Sequence, residues 1–437
     1  MLSWSRLKAI IAGLFIIFRA HSAPGGEPAI SPAIAAQNFT EARELCEQDG
    51  GKLWGHSLSG PILLVDPASR EVVASEADHE GQLKKNGKVF AGKLPAQVMI
   101  GNMAIEWAGV KWTMVMLPLP DDRFSRRALF GHELWHHIQN EIGFPSSGAA
   151  NHHLDARNGR LWLQLEWRAL AAALLKSGKE REEAISDALL FRAYRRSLFP
   201  DASEEERAME MHEGLAEYTG VALSGAPDLA RYVADRNLKD GVAKPTFIRS
   251  FAYASGPAYG VLLDQAKGDW RKSLKKTDDL GALLQTALGL RLPERLVESA
   301  EARAEEYGGK KLAATETERD DKRHKLLAGY RRKLIEGPVL IIPLRQMKMQ
   351  FDPGEPISLD PRGTVYPSIK IIDIWGILTV SSGALVESDF SKVTVSAPID
   401  SLASSAKGDG WTLELNPGWE LRAGPRAGEQ TIARKAP

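Results

Sequence analysis

Two periods of apolar residues divide the chain. Between about Arg43 and Pro120, short apolar runs are broken by Gly, Pro and Asp, as in PILLVD, KVFAGKLP, QVMIGNMAIEW and VKWTMVMLPLP. Runs of this length and composition predict strands. From about Arg123 to Arg303 the apolar positions recur at three- and four-residue steps, in GRLWLQLEWRALAAALLKSG, REEAISDALLFRAYRRSLF and SEEERAMEMHEGLAEYTGVAL. That spacing puts one apolar stripe on each of a series of helices. Ser203 followed by Glu206 has the form of a capping box for the third of them. From Glu305 to Lys333 the chain is dense in Lys, Arg, Glu and Asp, which predicts an exposed helical connector. After Gly337 it turns β-rich again, with PVLIIPL, SIKIIDIWGILTV, KVTVSAP and WTLELNPGWEL. Roughly a hundred residues of short strands and turns predict a β-sandwich.

The expected organisation is therefore an α+β fold. A β-rich N-terminal lobe covers 23–120 and a helical domain 121–303. A charged helical connector follows over 304–336, then an all-β sandwich-like domain over 337–437. Residues 1–22 read as a signal peptide. Arg6 and Lys8 flank the apolar run Ala9 to Phe18, which is short for a bilayer span, and Ala20-His21-Ser22 fits the small-x-small rule for cleavage. The mature chain would begin near Ala23, with a secreted or periplasmic location and no stable membrane span. The 437 residues are 43% hydrophobic and 26% charged, enough for two or three cored domains. Lys plus Arg equals Asp plus Glu at 56 each, so no global field favours nucleic acid. The single cysteine, Cys46, excludes an intrachain disulfide and reads as a small packed hydrophobe.

The chemistry concentrates in FGHELWHHIQNE, in a chain with only 10 histidines. His132 and His136 stand four apart, so on a helix both imidazoles reach one metal ion. Glu133 sits beside that face, where it can take a proton from an activated water. Phe130, Leu134 and Ile138 fall on the other side, so the helix would bury one stripe and present the other to a cleft. Taken alone the pentad is also compatible with a polar surface helix. A catalytic zinc site needs a third protein ligand. The best downstream candidate is HEGLAEYTG, where Glu213 can complete the triad and Glu217, one turn on, can orient a ligand imidazole. Glu166, on an apolar helix where an unpaired carboxylate is costly, is the rival third ligand; otherwise it pairs with Arg168 or Arg192. His152 and His153 read as capping and surface hydrogen-bonding residues, and His137 as a residue that caps or packs.

With these motifs in place, the sequence resembles the gluzincin metallopeptidases, which include the thermolysin-like enzymes and aminopeptidase N. In the aminopeptidase branch HExxH is followed by a helix close to N-E-G-F-A-x-Y whose Glu binds zinc. HEGLAEY matches it, with His212 in place of Asn. That branch also carries Y-x-K-G, whose Tyr stabilises an oxyanion, and Tyr253-Ala254-Ser255-Gly256 fits with Ser for Lys. The resemblance covers about Ala128 to Gln265. It implies a β-sheet lobe and a helical lobe around a Zn²⁺ held by His132, His136 and Glu213, with Glu133 and Tyr253 catalytic and Glu217 in support. It implies hydrolysis of a peptide or protein substrate. Two features depart from the branch. Glu213 follows His136 by 77 positions, which predicts an inserted helical hairpin over about Arg160 to Phe199 that roofs the cleft. The amine-binding G-x-M-E-N is missing; IGNMAIEWAG does not supply it. A scaffold with little or no turnover, acting as a binding or assembly protein through the C-terminal β domain, is the competing expectation.

Overall fold

The computed structural model describes residues 31–435, apart from 147, 267–268, 353–355, 360 and 403. The expected signal peptide lies outside the described residues. The fold is mixed α+β, with a helical region and a separate C-terminal β-sheet region. The chain divides into two compact units, and the boundary falls between Asp320 and Asp321.

The first element is a helix, α1 (Pro32–Asp49), where the β-rich lobe was expected to begin. Its signals are local: the Ser31 hydroxyl accepts from Ile34 N, Pro32 opens the first turn, and Gly50 closes it at a φ of 56°. Six strands follow: β1 (Ile62–Val65), β2 (Glu71–Ala74), β3 (Lys84–Asn86), β4 (Val89–Lys93), β5 (Met103–Trp107) and β6 (Val110–Met116). They form one sheet in the order β3-β4-β2-β1-β6-β5, with β1 and β6 parallel. β1 is buried at all four positions, which is why it reads as continuous ILLV rather than an alternation.

The helical region holds α2 (Arg123–Ile138), α3 (Arg157–Leu175), α4 (Gly178–Ser197), α5 (Ala202–Met209), α6 (Leu215–Leu223), α7 (Leu229–Tyr232), α8 (Ser250–Ala266), α9 (Leu280–Leu288), α10 (Leu296–Ala304) and α11 (Gly309–Arg331). α3 and α4 form the expected hairpin, but α3 is no roof. Leu163, Leu165, Trp167, Ala169 and Leu170 are buried in the helical core, and Trp167 donates to the Ser255 hydroxyl of α8 at 2.9 Å.

Charged groups cross that core. Arg195 of α4 is fully buried and donates to Glu206 at 2.8 Å through both Nε and Nη2, and to Glu166 through Nη1. Glu166 also accepts from Tyr259 at 2.7 Å and Arg192 at 3.3 Å. Glu206 is thus a buried ion-pair partner and not the second half of a capping box. The helix begins just after Asp201, whose side chain makes no capping hydrogen bond, and Ser203 lies inside it. His153, expected at the surface, is half-buried, with its ring covered and Nε2 2.9 Å from Glu206. Burial opposes a charge on this ring, but the Glu205 and Glu206 carboxylates outweigh it and raise its pKa above the ordinary 6.5. A raised folded-state pKa adds stability that is full below the unfolded value and is lost as pH rises through the folded one. Urea unfolding at stepped pH should show stability falling from pH near 6 upward, and His153→Gln should flatten that slope. An unchanged slope in the variant would assign it to other groups.

The connector α11 is largely exposed, yet Glu316 is buried and accepts from Gln164 at 2.6 Å and Arg160 at 3.1 Å, which ties its first half to the helical core. Among its described residues the C-terminal unit has two sheets, of seven and six strands. Leu340, Val386 and Val393 of one share a core with Ile371, Leu378 and Leu413 of the other. No helix among the described residues is long and apolar enough to cross a membrane.

Candidate metal centre

α2 opens at Asp122, whose carboxylate accepts from Ser125 N at 2.9 Å and from its hydroxyl at 2.6 Å. An acceptor here meets the free N–H groups of a first helical turn. The helix is then held on two sides. Phe130, Leu134 and Ile138 pack with α1 and the sheet, while Trp135 enters the helical core. The expected open stripe is therefore closed over. His132 is 1% exposed and Glu133 0%.

Glycines bring the other site residues to this helix. A Cβ on Gly131 of α2 would stand 2.8 Å from the Cα of Gly220 of α6, and one on Gly220 would strike the Ala128 carbonyl oxygen. Gly256 of α8 meets Gly214 in the same way. Neither member of either pair needs an unusual φ; what matters is the absent methyl. Between α5 and α6, Glu210–Gly214 form a π-helical turn in which Leu215 N donates to Glu210 O. Such wide turns recur at functional sites. A direct prediction follows for Gly220→Ala. α2 and α6 must separate, so the variant should lose about 1–3 kcal/mol of stability by overpacking. It should also bind metal far more weakly than wild type by chelator competition. Unchanged affinity would mean that the two helices do not set the site.

The structure brings together every predicted site residue. His132, His136 and Glu213 form a group that could hold a metal ion, with ligand atoms all within 4.8 Å of one another. The two imidazole Nε2 atoms are 3.0 Å apart, and Glu213 Oε2 lies 3.7 Å from His132 and 3.6 Å from His136. Tetrahedral bonds of about 2.0–2.1 Å would put ligand atoms roughly 3.4 Å apart. The observed distances bracket that value. Glu217 accepts His132 Nδ1 at 2.8 Å and Asn237 Nδ2 at 3.0 Å, fixing the ring so that Nε2 faces inward. His136 Nδ1 is 3.1 Å from Gln139 Oε1, which does the same for the second ring. Tyr253 stacks on His132, with ring centroids 5.4 Å apart at 6°, and its hydroxyl donates to Glu213 Oε2.

Charge explains why the group suits a cation. Burial disfavours a charged His132 ring, but the hydrogen bonds with Glu213 and Glu217 and the nearby Glu133 outweigh it and push its pKa up to about 10. Burial pushes the Glu133 carboxyl up to about 7, opposed by His132 and His136. Both Glu133 oxygens are buried with no hydrogen-bond partner among the described residues. Burial also works against the Glu213 carboxylate, but its basic neighbours, Arg249 among them, hold it well below the usual range. Three buried or half-buried carboxylates, Glu133, Glu213 and Glu217, thus cluster around the His132 ring, and one guanidinium, Arg249, pairs with Glu213. A divalent cation that takes the place of the ring proton offsets the excess of negative charge, and a buried cluster of net charge is costly.

The other candidates lie elsewhere. Glu166 is engaged with Arg192, Arg195 and Tyr259 and is absent from the metal group. Its expected alternative partner Arg168 donates instead to the Tyr307 carbonyl. His137 Nδ1 is 3.3 Å from the Thr113 hydroxyl. Burial pushes Cys46 up to about 11, in keeping with a packed, inert thiol. Three supporting residues were not singled out in the sequence: Gln139, Asn237 and Arg249. Gln139 is three positions after His136 and was accessible to helical spacing. Asn237 and Arg249 are brought in by tertiary structure. No known family model matches the chain, nor does any curated protein or solved structure.

Proposed function

We propose that this chain is an exported zinc-dependent hydrolase of the gluzincin type that cleaves peptide bonds. The observation that carries the reading is the convergence of His132, His136 and Glu213 beside a buried carboxylate, Glu133, whose oxygens accept no hydrogen bond among the described residues. Two imidazoles and one carboxylate form a donor set suited to zinc, and softer than calcium or magnesium prefers. Zinc, when bound, supplies Lewis acidity that makes water a nucleophile near neutral pH and polarises a carbonyl.

The chain's own residues do the rest. Glu133 takes the proton of the attacking water and passes it to the leaving amine. Its raised pKa suits both halves of that task, and a neighbouring cation would shift it toward the ionised form that accepts the proton. Burial and the Glu213 charge raise the Tyr253 pKa well above the ordinary value, so its hydroxyl stays protonated and can donate. Once Glu213 Oε2 is engaged as a ligand, that hydroxyl is free to turn to the oxyanion of the tetrahedral intermediate. Gln139 and Glu217 keep both rings in the required tautomer.

One observation favours the competing scaffold reading: His132, Glu133 and Glu213 are almost wholly out of solvent, so substrate entry requires an opening motion. Digestion of a broad peptide library by the zinc-loaded chain separates the two. Cleavage is the expected result, and Tyr253→Phe should slow it by about two orders of magnitude, the usual cost of one oxyanion donor. Zinc bound at one per chain with no cleavage across the library would support the scaffold.

A further inference from the structure

The two oxygens of Glu213 have different surroundings. Oε2 faces both imidazole Nε2 atoms. Oε1 accepts from Arg249 Nη2 at 2.6 Å and lies 3.4 Å from His212 Nδ1. Arg249 is itself buried, in the turn before α8, and its Nε has no partner among the described residues. The turn is tied down from the other side. Asp155 accepts from Thr246 Oγ1 at 2.6 Å and from Phe247 N at 3.0 Å, and the Arg160 guanidinium stacks 3.5 Å over the Phe247 ring. A buried guanidinium on a fixed turn therefore occupies one oxygen of the ligand carboxylate.

We propose that Arg249 is a positioning residue that confines Glu213 to single-oxygen ligation and so keeps the remaining coordination position open for water and substrate. The inference rests on the zinc reading above. A carboxylate can bind a metal through one oxygen or both, and an outer partner that holds the second oxygen decides between them. A catalytic zinc centre needs three protein ligands and an open position. With Oε1 released, Glu213 can turn both oxygens inward, so that the ion would gain a fifth ligand atom and the position open to substrate would be crowded. Arg249 never touches substrate in this account. Its loss should leave metal in place and remove turnover, whereas loss of a ligand removes metal.

Cobalt(II) substituted for the native ion gives a readout independent of activity, because its visible absorption is intense for four ligands and weak for five. Arg249→Met should bind cobalt with a wild-type stoichiometry, show a several-fold weaker visible band, and lower kcat on the library-derived peptide at least about tenfold with less change in KM. Arg249→Lys keeps the charge and should restore part of both signals. Should the Met variant fail to fold, the Lys variant decides, since it is expected to fall between wild type and full loss. A wild-type band and wild-type kcat in whichever of the two folds would overturn the proposal and leave the zinc reading standing. A wild-type chain that takes up no cobalt would overturn both.

Discussion

Glu133→Gln is expected to bind zinc as tightly as wild type and to lose peptide hydrolysis by about 10²- to 10⁴-fold, the range of a general acid–base contribution. The amide has the volume of the carboxyl and sits outside the metal group, so the two imidazoles and Glu213 are undisturbed. It cannot accept the proton of the attacking water. The variant should also fold at least as well as wild type. Glu133 is fully buried, its oxygens accept no hydrogen bond among the described residues, and a neutral amide there is less costly than a charge. Greater stability with lower activity is the signature of a residue kept for chemistry. Steady-state kinetics with zinc titration reads both, and equal turnover in the variant would remove Glu133 from the mechanism.

Arg195→Met should be the most destabilising single change, at about 3–5 kcal/mol. Arg195 is wholly buried and bridges Glu206 and Glu166. Removing it leaves two carboxylates inside the helical core sharing Arg192, Arg196, His153 and Tyr259. Breaking a buried pair from one side costs far more than replacing both partners, because the remaining charge stays desolvated. Such a loss is a large share of the ~5–15 kcal/mol that holds a domain together. Urea unfolding followed by tryptophan fluorescence measures it. A loss below about 1 kcal/mol would show that water reaches the cluster.

The parts of this fold that the sequence revealed are those written in local periods. PILLVD and VKWTMVM became β1 and β6, and the hairpin of α3 and α4 appeared over the expected stretch. The site residues were legible because HExxH and EGLAEY each place two side chains one turn apart on one helix. What escaped was long-range. Helix α1 had a serine cap, a proline and a terminal glycine, but its even mixture of polar and apolar residues gave a weak stripe. The reading of Ser203 and Glu206 as a capping box failed because Glu206 had a stronger use, pairing with Arg195 and Arg196. His153 looked superficial for the same reason: its carboxylate partners lie on another helix, more than 50 positions away. Arg249 is invisible in sequence because a lone arginine before an apolar helix names no acidic partner. The glycines at 131, 220, 214 and 256 carry no motif of their own; only the crossing of the helices shows why a methyl is excluded.

On the function proposed above, His132, His136 and Glu213 hold one catalytic zinc ion. Zinc titration of the chelator-stripped chain, run side by side on wild type, Glu213→Gln and Glu166→Gln, tests it most directly. Wild type should bind one Zn²⁺ per chain, Glu213→Gln should lose about 100-fold or more in affinity, and Glu166→Gln should keep wild-type affinity whatever its stability. Full zinc binding by Glu213→Gln, or a greater loss in Glu166→Gln, would contradict it.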